Sequence, residues 1–186
     1  MRVIAGKFKS RRLHPPRGIA LRPTSDRLRE TLFNILGPTV EGSLFVDVFA
    51  GTGAVGIEAI SRGAEQVIFI EKNTSAAELI RENLKSLRIV GGVAVLPFEV
   101  IRGLKQLAAQ RILADLIFLD PPYAQPADYL HVLEFISESH LLAPGGLLIA
   151  EHARKMELPE KLEKLERSRL VEQGDSALSF YHMTVG

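Results

Sequence analysis

The stretch LFVDVFAGTGAVGIE, Leu44 to Glu58, constrains this chain more than any other. Leu44, Phe45, Val46, Val48 and Phe49 make an apolar run of strand length. Glycines follow at Gly51, Gly53 and Gly56 in the spacing G-x-G-x-x-G. Val55 to Ile60 then carries a helical pattern. A strand, a tight glycine turn and a helix start form the setting in which this spacing binds a nucleotide or nucleoside. Glycine permits φ > 0 in the turn and lets a ligand approach bare backbone. A second apolar run, Val67 to Ile70, ends at Glu71, twenty positions after Gly51. A carboxylate so placed accepts hydrogen bonds from a ribose diol. A plain strand-to-helix turn of an α/β protein is the competing reading, and the flanking strand and acid weigh against it.

The choice of nucleoside turns on Asp47. A dinucleotide pyrophosphate rests on a helix N-terminus that is free of acids. Asp47 precedes the glycines at the strand end, where its carboxylate repels a phosphate and suits a cation. S-adenosylmethionine carries an ammonium, a sulfonium and no phosphate, so Asp47 tilts the expectation toward it and away from NAD.

Composition sets the outer limits. A length of 186 residues fits one main domain with a modest appendage. No cysteine is present, which removes disulfides and thiolate metal sites. His14, His131, His140, His152 and His182 lack metal-ligand spacing, so no metal is expected and they read as surface or satisfied groups. No apolar run reaches the ~20 residues of a membrane span. The basic N-terminus has no apolar core of a signal peptide, and a cytoplasmic location is expected. Residues 1–22 hold Arg2, Lys7, Lys9, Arg11, Arg12, Arg17 and Arg22 and no acid. The whole chain has a net charge of only +1, so the remainder is net negative. A basic arm on an acidic body suits a polyanion, with lysine and arginine on phosphates.

Along the arm, Arg2 to Ala5 and Arg11 to Leu13 read as short strands about Gly6, and His14-Pro15-Pro16 with Gly18 breaks regular structure. Thr24 or Ser25 caps a helix to about Leu36, with a stripe of Leu28, Leu32, Ile35 and Leu36. Asp26, Arg27, Arg29 and Glu30 fall off that stripe and read as surface ion pairs or as a border of the ligand pocket. From Leu44, strands near 44–49, 67–71, 93–96, 116–119 and 147–151 alternate with helices near 54–63, 74–87, 99–110 and 127–139. That order gives a doubly wound, mostly parallel sheet. Pro144-Gly145-Gly146 reads as a turn, and strands near 169–172 and 178–185 flank Gly174-Asp175. Ligands of such sheets bind at the carboxyl ends of the strands, which gathers Asp47, Glu71, Glu99 and Asp120.

The run ILADLIFL leads into Asp120-Pro121-Pro122-Tyr123. Two prolines after a strand fix φ twice and remove two N–H donors. A carboxylate, aimed carbonyls and an aromatic ring remain. Asp120 and the Pro121 carbonyl suit the two N–H groups of an exocyclic amine, and Tyr123 suits stacking on the base, worth ~1–3 kcal/mol. A stiff loop with a satisfied aspartate is the plainer reading of a lone D-P-P.

With DVFAGTG after the first strand and DPPY after the fourth, the chain resembles the amino-group methyltransferases that use S-adenosylmethionine. RVIAGKFKSRRL, LRPTSDRLRETLFNIL and FVDVFAGTGAVGIEAISRGA narrow this: the chain resembles the RsmD family across nearly its full length. Those are bacterial methyltransferases of guanine N2 in 16S ribosomal RNA. The resemblance implies a Rossmann-like class I fold: a seven-stranded sheet with a C-terminal antiparallel strand and a small N-terminal β-hairpin. It divides the chain into an arm, 1–22, and a methyltransferase domain, 23–186. It implies a cofactor set of Thr24, Asp47, Phe49, Gly51, Thr52, Gly53, Glu71, Lys72 and Asp120, and a catalytic set of Asp120, Pro121, Pro122 and Tyr123. Where relatives often have aspartate and alanine after the third strand, this chain has Pro97-Phe98-Glu99-Val100. Phe98 is expected on the adenine ring and Glu99 at its amine.

The expected partner is 16S ribosomal RNA within a small-subunit particle, gripped by the seven cations of the arm. Removal of the arm is expected to weaken RNA binding and spare cofactor affinity. An adenine-N6 methyltransferase of DNA or RNA shares the DPPY logic. An NAD-dependent oxidoreductase would share the glycine bend, and an RNA-binding protein on an inactive methyltransferase fold would share the basic arm.

Overall fold

The computed structural model describes residues 1–15, 24–121 and 126–184. Arg17, Arg22, Pro122 and Tyr123 lie outside the described residues. In chain order the elements are α1 (Asp26–Leu36), β1 (Leu44–Val48), α2 (Ala54–Ser61), β2 (Gln66–Ile70), α3 (Thr74–Ser86), β3 (Val93–Leu96), α4 (Val100–Ala109), β4 (Ala114–Leu119), α5 (Pro126–Glu138), β5 (Leu142–Ala153), β6 (Lys161–Leu162), β7 (Leu165–Gln173) and β8 (Ser176–Met183). The sheet order is β3-β2-β1-β4-β5-β8-β7-β6. The five strands from β3 to β5 run parallel, and β8 enters antiparallel between β5 and β7. The Rossmann-like α/β arrangement expected from the sequence is the one observed.

Successive strand residues face opposite sides, and both sides are covered. Phe45, Val67, Phe69, Leu116 and Phe118 join one core with side chains of α1, α2 and α3. Val46, Val48, Ile68, Ile70, Ile117 and Leu119 join the other with α4 and α5. Burial on both faces explains why these strands read as continuous apolar runs rather than alternating ones. Asp47 shares the parity of Phe45, so it points toward the α2 side. α2 packs hard on β2: a Cβ on Gly56 would lie 2.3 Å from the Phe69 ring. The last glycine of the fingerprint therefore serves helix–sheet contact.

Three sequence expectations need correction. The sheet has eight strands, because the two-residue β6 pairs with Glu166 and Leu165 of β7; it is too short to carry a period. Pro144-Gly145-Gly146 is no terminal turn. β5 begins at Leu142 and passes through it, with a shift in pairing between Ala114 and Leu116. Gly145, at φ 78°, absorbs the extra residues as a bulge. Arg29 is no surface residue: it is 0% exposed and donates through Nη2 to Asp26 and to the Arg2 carbonyl. The Gly174-Asp175 turn joins Gln173 to Ser176 as expected.

Residues 1–14 form a minimal hairpin with one bridge, Arg2 to Arg12. This strap is docked on the body. Val3 is 1% exposed and Leu13 4%, and both sit in the α1–α2–α3 core. The Ile4 and Ala5 N–H groups donate to the two carboxylate oxygens of Glu58 on α2, at 2.8 and 3.0 Å. Gly6 rests on the end of α2, where a Cβ would fall 1.8 Å from the Ser61 carbonyl oxygen.

Candidate active site

The chain turns from β1 outward to β2 and β3, then returns to β4 on the opposite side. The strand order thus reverses between β1 and β4, where doubly wound sheets bind ligands. Backbone hydrogen bonds join the loops there. Ala50 N–H donates to Ile70 at 3.1 Å, Glu71 N–H to Leu96 at 3.1 Å, and Asp120 N–H to Val48 at 3.4 Å. The glycine bend, the Glu71 corner, the Phe98 corner and the Asp120 corner therefore share one end of the sheet.

The bend after β1 is built from left-handed backbone at Phe49 (φ 59°), Gly51 (φ 54°) and Gly53 (φ 74°). A bulky residue in that region is strained, and such strain concentrates at functional sites. Gly51 exposes its backbone, since an added Cβ would meet only the Phe49 carbonyl oxygen, at 3.9 Å. Glu71 Oε2 accepts from Gly51 N–H at 2.8 Å, and its Oε1 accepts from Asn73 N–H at 2.8 Å. This buried glutamate holds the bend against the start of α3. Its remaining lone pairs are available to a diol. Bare backbone beside a fixed carboxylate fits a nucleoside cofactor.

Asp47 behaves differently from its expected partnership with a cation. It is 2% exposed, and its Oδ2 accepts from Gly56 N–H at 2.9 Å beneath the bend. Burial pushes its carboxyl up to about 8; the Gly56 hydrogen bond opposes this and the Glu71 charge adds to it. Through that bond Asp47 secures the first turn of α2. Thr52, 4% exposed, also faces inward: its hydroxyl donates to the Met1 sulfur at 3.5 Å.

Lys72 and Glu99, both exposed, pair at 3.3 Å across the ends of β2 and β3. The Phe98 ring is half-buried with the Arg102 guanidinium 4.6 Å from its centroid. Asp120 is half-buried at the end of β4. Thr24 donates through Oγ1 to Asp120 Oδ2 at 3.3 Å, bringing the residue before the α1 cap to the Asp-Pro corner. Ser25 caps α1 by accepting from Leu28 N–H at 3.1 Å. Of the seven arm cations, Arg2, Lys7, Lys9, Arg11 and Arg12 are described, and all five are exposed. Among the described residues no group of histidines and acids is placed to hold a metal, and no helix is long and apolar enough to cross a membrane.

Sequence reasoning missed three buried polar residues. Glu58, 0% exposed, pairs with Arg62 at 2.8 Å and lies 3.9 Å from Arg29. Asn83, 0% exposed, reaches the strap and the glycine bend. Each had a readable signal. Glu58 interrupts a short helix that is apolar all round, Asn83 falls on the Ala76–Ile80–Leu84 stripe, and Arg29 precedes Phe33 by one turn.

The strand order, the glycine bend with its tethered glutamate, and the Asp-Pro corner beside it define the class: a Rossmann-like, S-adenosylmethionine-dependent methyltransferase. The chain belongs to the family described as Conserved hypothetical protein 95, the RsmD family, which it matches over residues 1–182. It is 37% identical over 181 residues to the putative rRNA methyltransferase YlbH of Bacillus subtilis (strain 168), covering 97% of this chain and 98% of that one. It is 36% identical to the ribosomal RNA small subunit methyltransferase D of Haemophilus influenzae, covering 81% and 78%. Among solved structures, the putative methyltransferase yhhF from Escherichia coli superposes with a TM-score of 0.86 at 29% identity, covering 99% and 98%.

Proposed function

We propose that this protein transfers a methyl group from S-adenosylmethionine to the exocyclic N2 amine of a guanine in 16S ribosomal RNA, in a small-subunit particle in the cytoplasm. The relatives named as small-subunit ribosomal RNA methyltransferases support the substrate class. One observation carries the chemistry. Asp120 is tied by its N–H to the end of β1 and by its carboxylate to Thr24, at the strand end that also holds the Gly51–Glu71 bend.

The cofactor supplies a methyl group already activated on a sulfonium. Gly51 backbone and Glu71 hold its ribose side, Phe98 and Glu99 flank its adenine, and Phe49 and Gly53 shape the bend around it. Lys72 restrains Glu99 through their ion pair. The guanine amine is a weak nucleophile because its lone pair is delocalised into the ring. Asp120 and the Pro121 carbonyl accept its two N–H bonds and draw the nitrogen toward a tetrahedral shape. Positive charge develops on that nitrogen in the transition state, and the fixed Asp120 carboxylate stabilises it there. The nitrogen then sheds a proton without a strong base, because methylation makes it acidic. Alignment of the reacting groups is worth ~7–11 kcal/mol of the barrier. Pro122 and Tyr123, from their place in the motif, stiffen the loop and stack on a guanine that lies outside a duplex. The arm cations Arg2, Lys7, Lys9, Arg11, Arg12, Arg17 and Arg22 bind phosphates.

Asp120→Ala is expected to bind S-adenosylmethionine with near-normal affinity while methyl transfer falls by ~100-fold or more, the scale for loss of a transition-state partner. Calorimetry and a methyl-transfer assay on small-subunit particles check this, and near-normal turnover would remove Asp120 from its role. Mass mapping of the modified RNA checks the target; methyl groups on adenine N6 would overturn the guanine assignment.

A further inference from the structure

The strap does more than display positive charge. Its middle and its ends meet the body at different places. The middle, Ile4 to Phe8, lies on the C-terminal half of α2 through Glu58 and Ser61. The ends lie under the glycine bend. Met1 accepts from Leu13 N–H at 3.2 Å through its carbonyl and from the Thr52 hydroxyl through its sulfur. His14 N–H donates to Asn83 Oδ1 at 2.7 Å, and Asn83 Nδ2 donates to the Thr52 carbonyl at 3.4 Å.

Asn83 is the bridge in this arrangement. It projects from α3 with no exposed surface. One end of its side chain must accept and the other must donate, which an amide does and neither a carboxylate nor an aliphatic group can. Thr52 lies between Gly51, held by Glu71, and Gly53, which opens α2. Asn83 thus fixes the bend from beneath while Glu71 fixes it from the strand side. A loop held in its binding conformation loses less entropy when a ligand arrives.

We infer that Asn83 is a positioning residue for the cofactor bend, and that residues 1–14 brace that bend through it while presenting their cations outward. This rests on the proposal that the bend holds S-adenosylmethionine. It also reverses the sequence expectation that the arm and the cofactor site are independent.

Three variants test the inference by calorimetry with S-adenosylhomocysteine in the absence of RNA, paired with methyl-transfer kinetics. Asn83→Leu removes both hydrogen bonds. Asn83→Asp keeps the acceptor for His14 and loses the donor to Thr52. His14→Pro deletes the N–H that Asn83 accepts, together with an exposed imidazole. Each is expected to weaken cofactor binding by ~5-fold or more, the scale for a buried polar group left unpaired. The KM for the cofactor is expected to rise in parallel, with kcat at saturating cofactor within ~2-fold of normal, since no group at Asp120 is touched. RNA affinity of Asn83→Asp is expected to stay normal.

Normal cofactor affinity in both Asn83→Asp and His14→Pro would overturn the inference. So would a loss of cofactor affinity, kcat and RNA affinity in common proportion to a fall in Tm, the mark of a merely structural residue. If the unaltered protein bound no S-adenosylhomocysteine, the proposed function and the brace would fall together. If it bound the cofactor but modified another nucleotide, the target assignment would fail while the variants still decided the brace.

Discussion

At the residue scale, the buried acids set the character of the site. Glu71 and Asp47 lie at the ends of adjacent strands of one parallel sheet, yet their environments separate them. Glu71 satisfies two backbone N–H groups at the mouth of the bend, whereas Asp47 lies beneath it with one. Raised to about 8, the Asp47 carboxyl keeps its proton in the folded chain over a pH range where the unfolded chain has released it. Its ordinary value is ~3.9. Its contribution to stability is therefore complete below that value and is lost as pH rises through about 8. Asn at this position keeps an acceptor for Gly56 and does not titrate. Thermal melts are expected to show the Tm of Asp47→Asn gaining on that of the unaltered protein between pH 5 and pH 9. A constant gap would mean that Asp47 is ionised throughout. The local pattern placed Asp47 and Glu71 at strand ends but carried no measure of depth, so it assigned Asp47 a partner that its burial does not suit.

At the element scale, the strap and α2 depend on one another. Glu58 is buried beside Arg29 and Arg62, and it also takes the N–H groups of Ile4 and Ala5. Removing one partner from such a cluster leaves an uncompensated charge, typically a loss of ~3–5 kcal/mol. Gly6 makes the contact sterically possible. Gly6 and Gly42 both have positive φ, 78° and 72°, but an added Cβ strikes Ser61 at Gly6 and has nothing within 4 Å at Gly42. Backbone strain is thus shared between Gly6→Ala and Gly42→Ala, and only the first carries a clash. Calorimetric melting is expected to show a Tm for Gly6→Ala at least ~4 °C below that of Gly42→Ala, at ~2–4 °C per kcal/mol for a chain of this size. Equal melting temperatures would show that the strap does not need to sit close on α2. The alternation of strands and helices was legible because the strands read as short continuous apolar runs and the helices between them as longer segments with an apolar stripe. β6 and the bulge in β5 were not, because pairing partners far along the chain decide them.

At the scale of the whole molecule, one body carries both the exposed cations of the strap and the loops that hold Asp120 and the glycine bend. Phosphate contacts release counterions, with a salt slope of ~0.7 per contact on single-stranded nucleic acid. Replacing Lys7, Lys9, Arg11 and Arg12 with glutamine is expected to flatten the log–log plot of RNA affinity against salt, by about that amount for each phosphate no longer neutralised. A filter-binding titration with the unaltered slope would mean that these four side chains do not touch phosphate. The strand-and-helix order, the glycine bend, the acid twenty residues on and the Asp-Pro corner were fixed by the local sequence, because periodicity, φ > 0 and ring constraint act within a few residues. Only the tertiary structure decided that Asp47 is buried, that Arg29 and Glu58 share a buried cluster, and that Asn83 joins the strap to the bend. Those outcomes depend on which side chains far apart in the chain meet and how deeply they are buried, and no local pattern carries that distance.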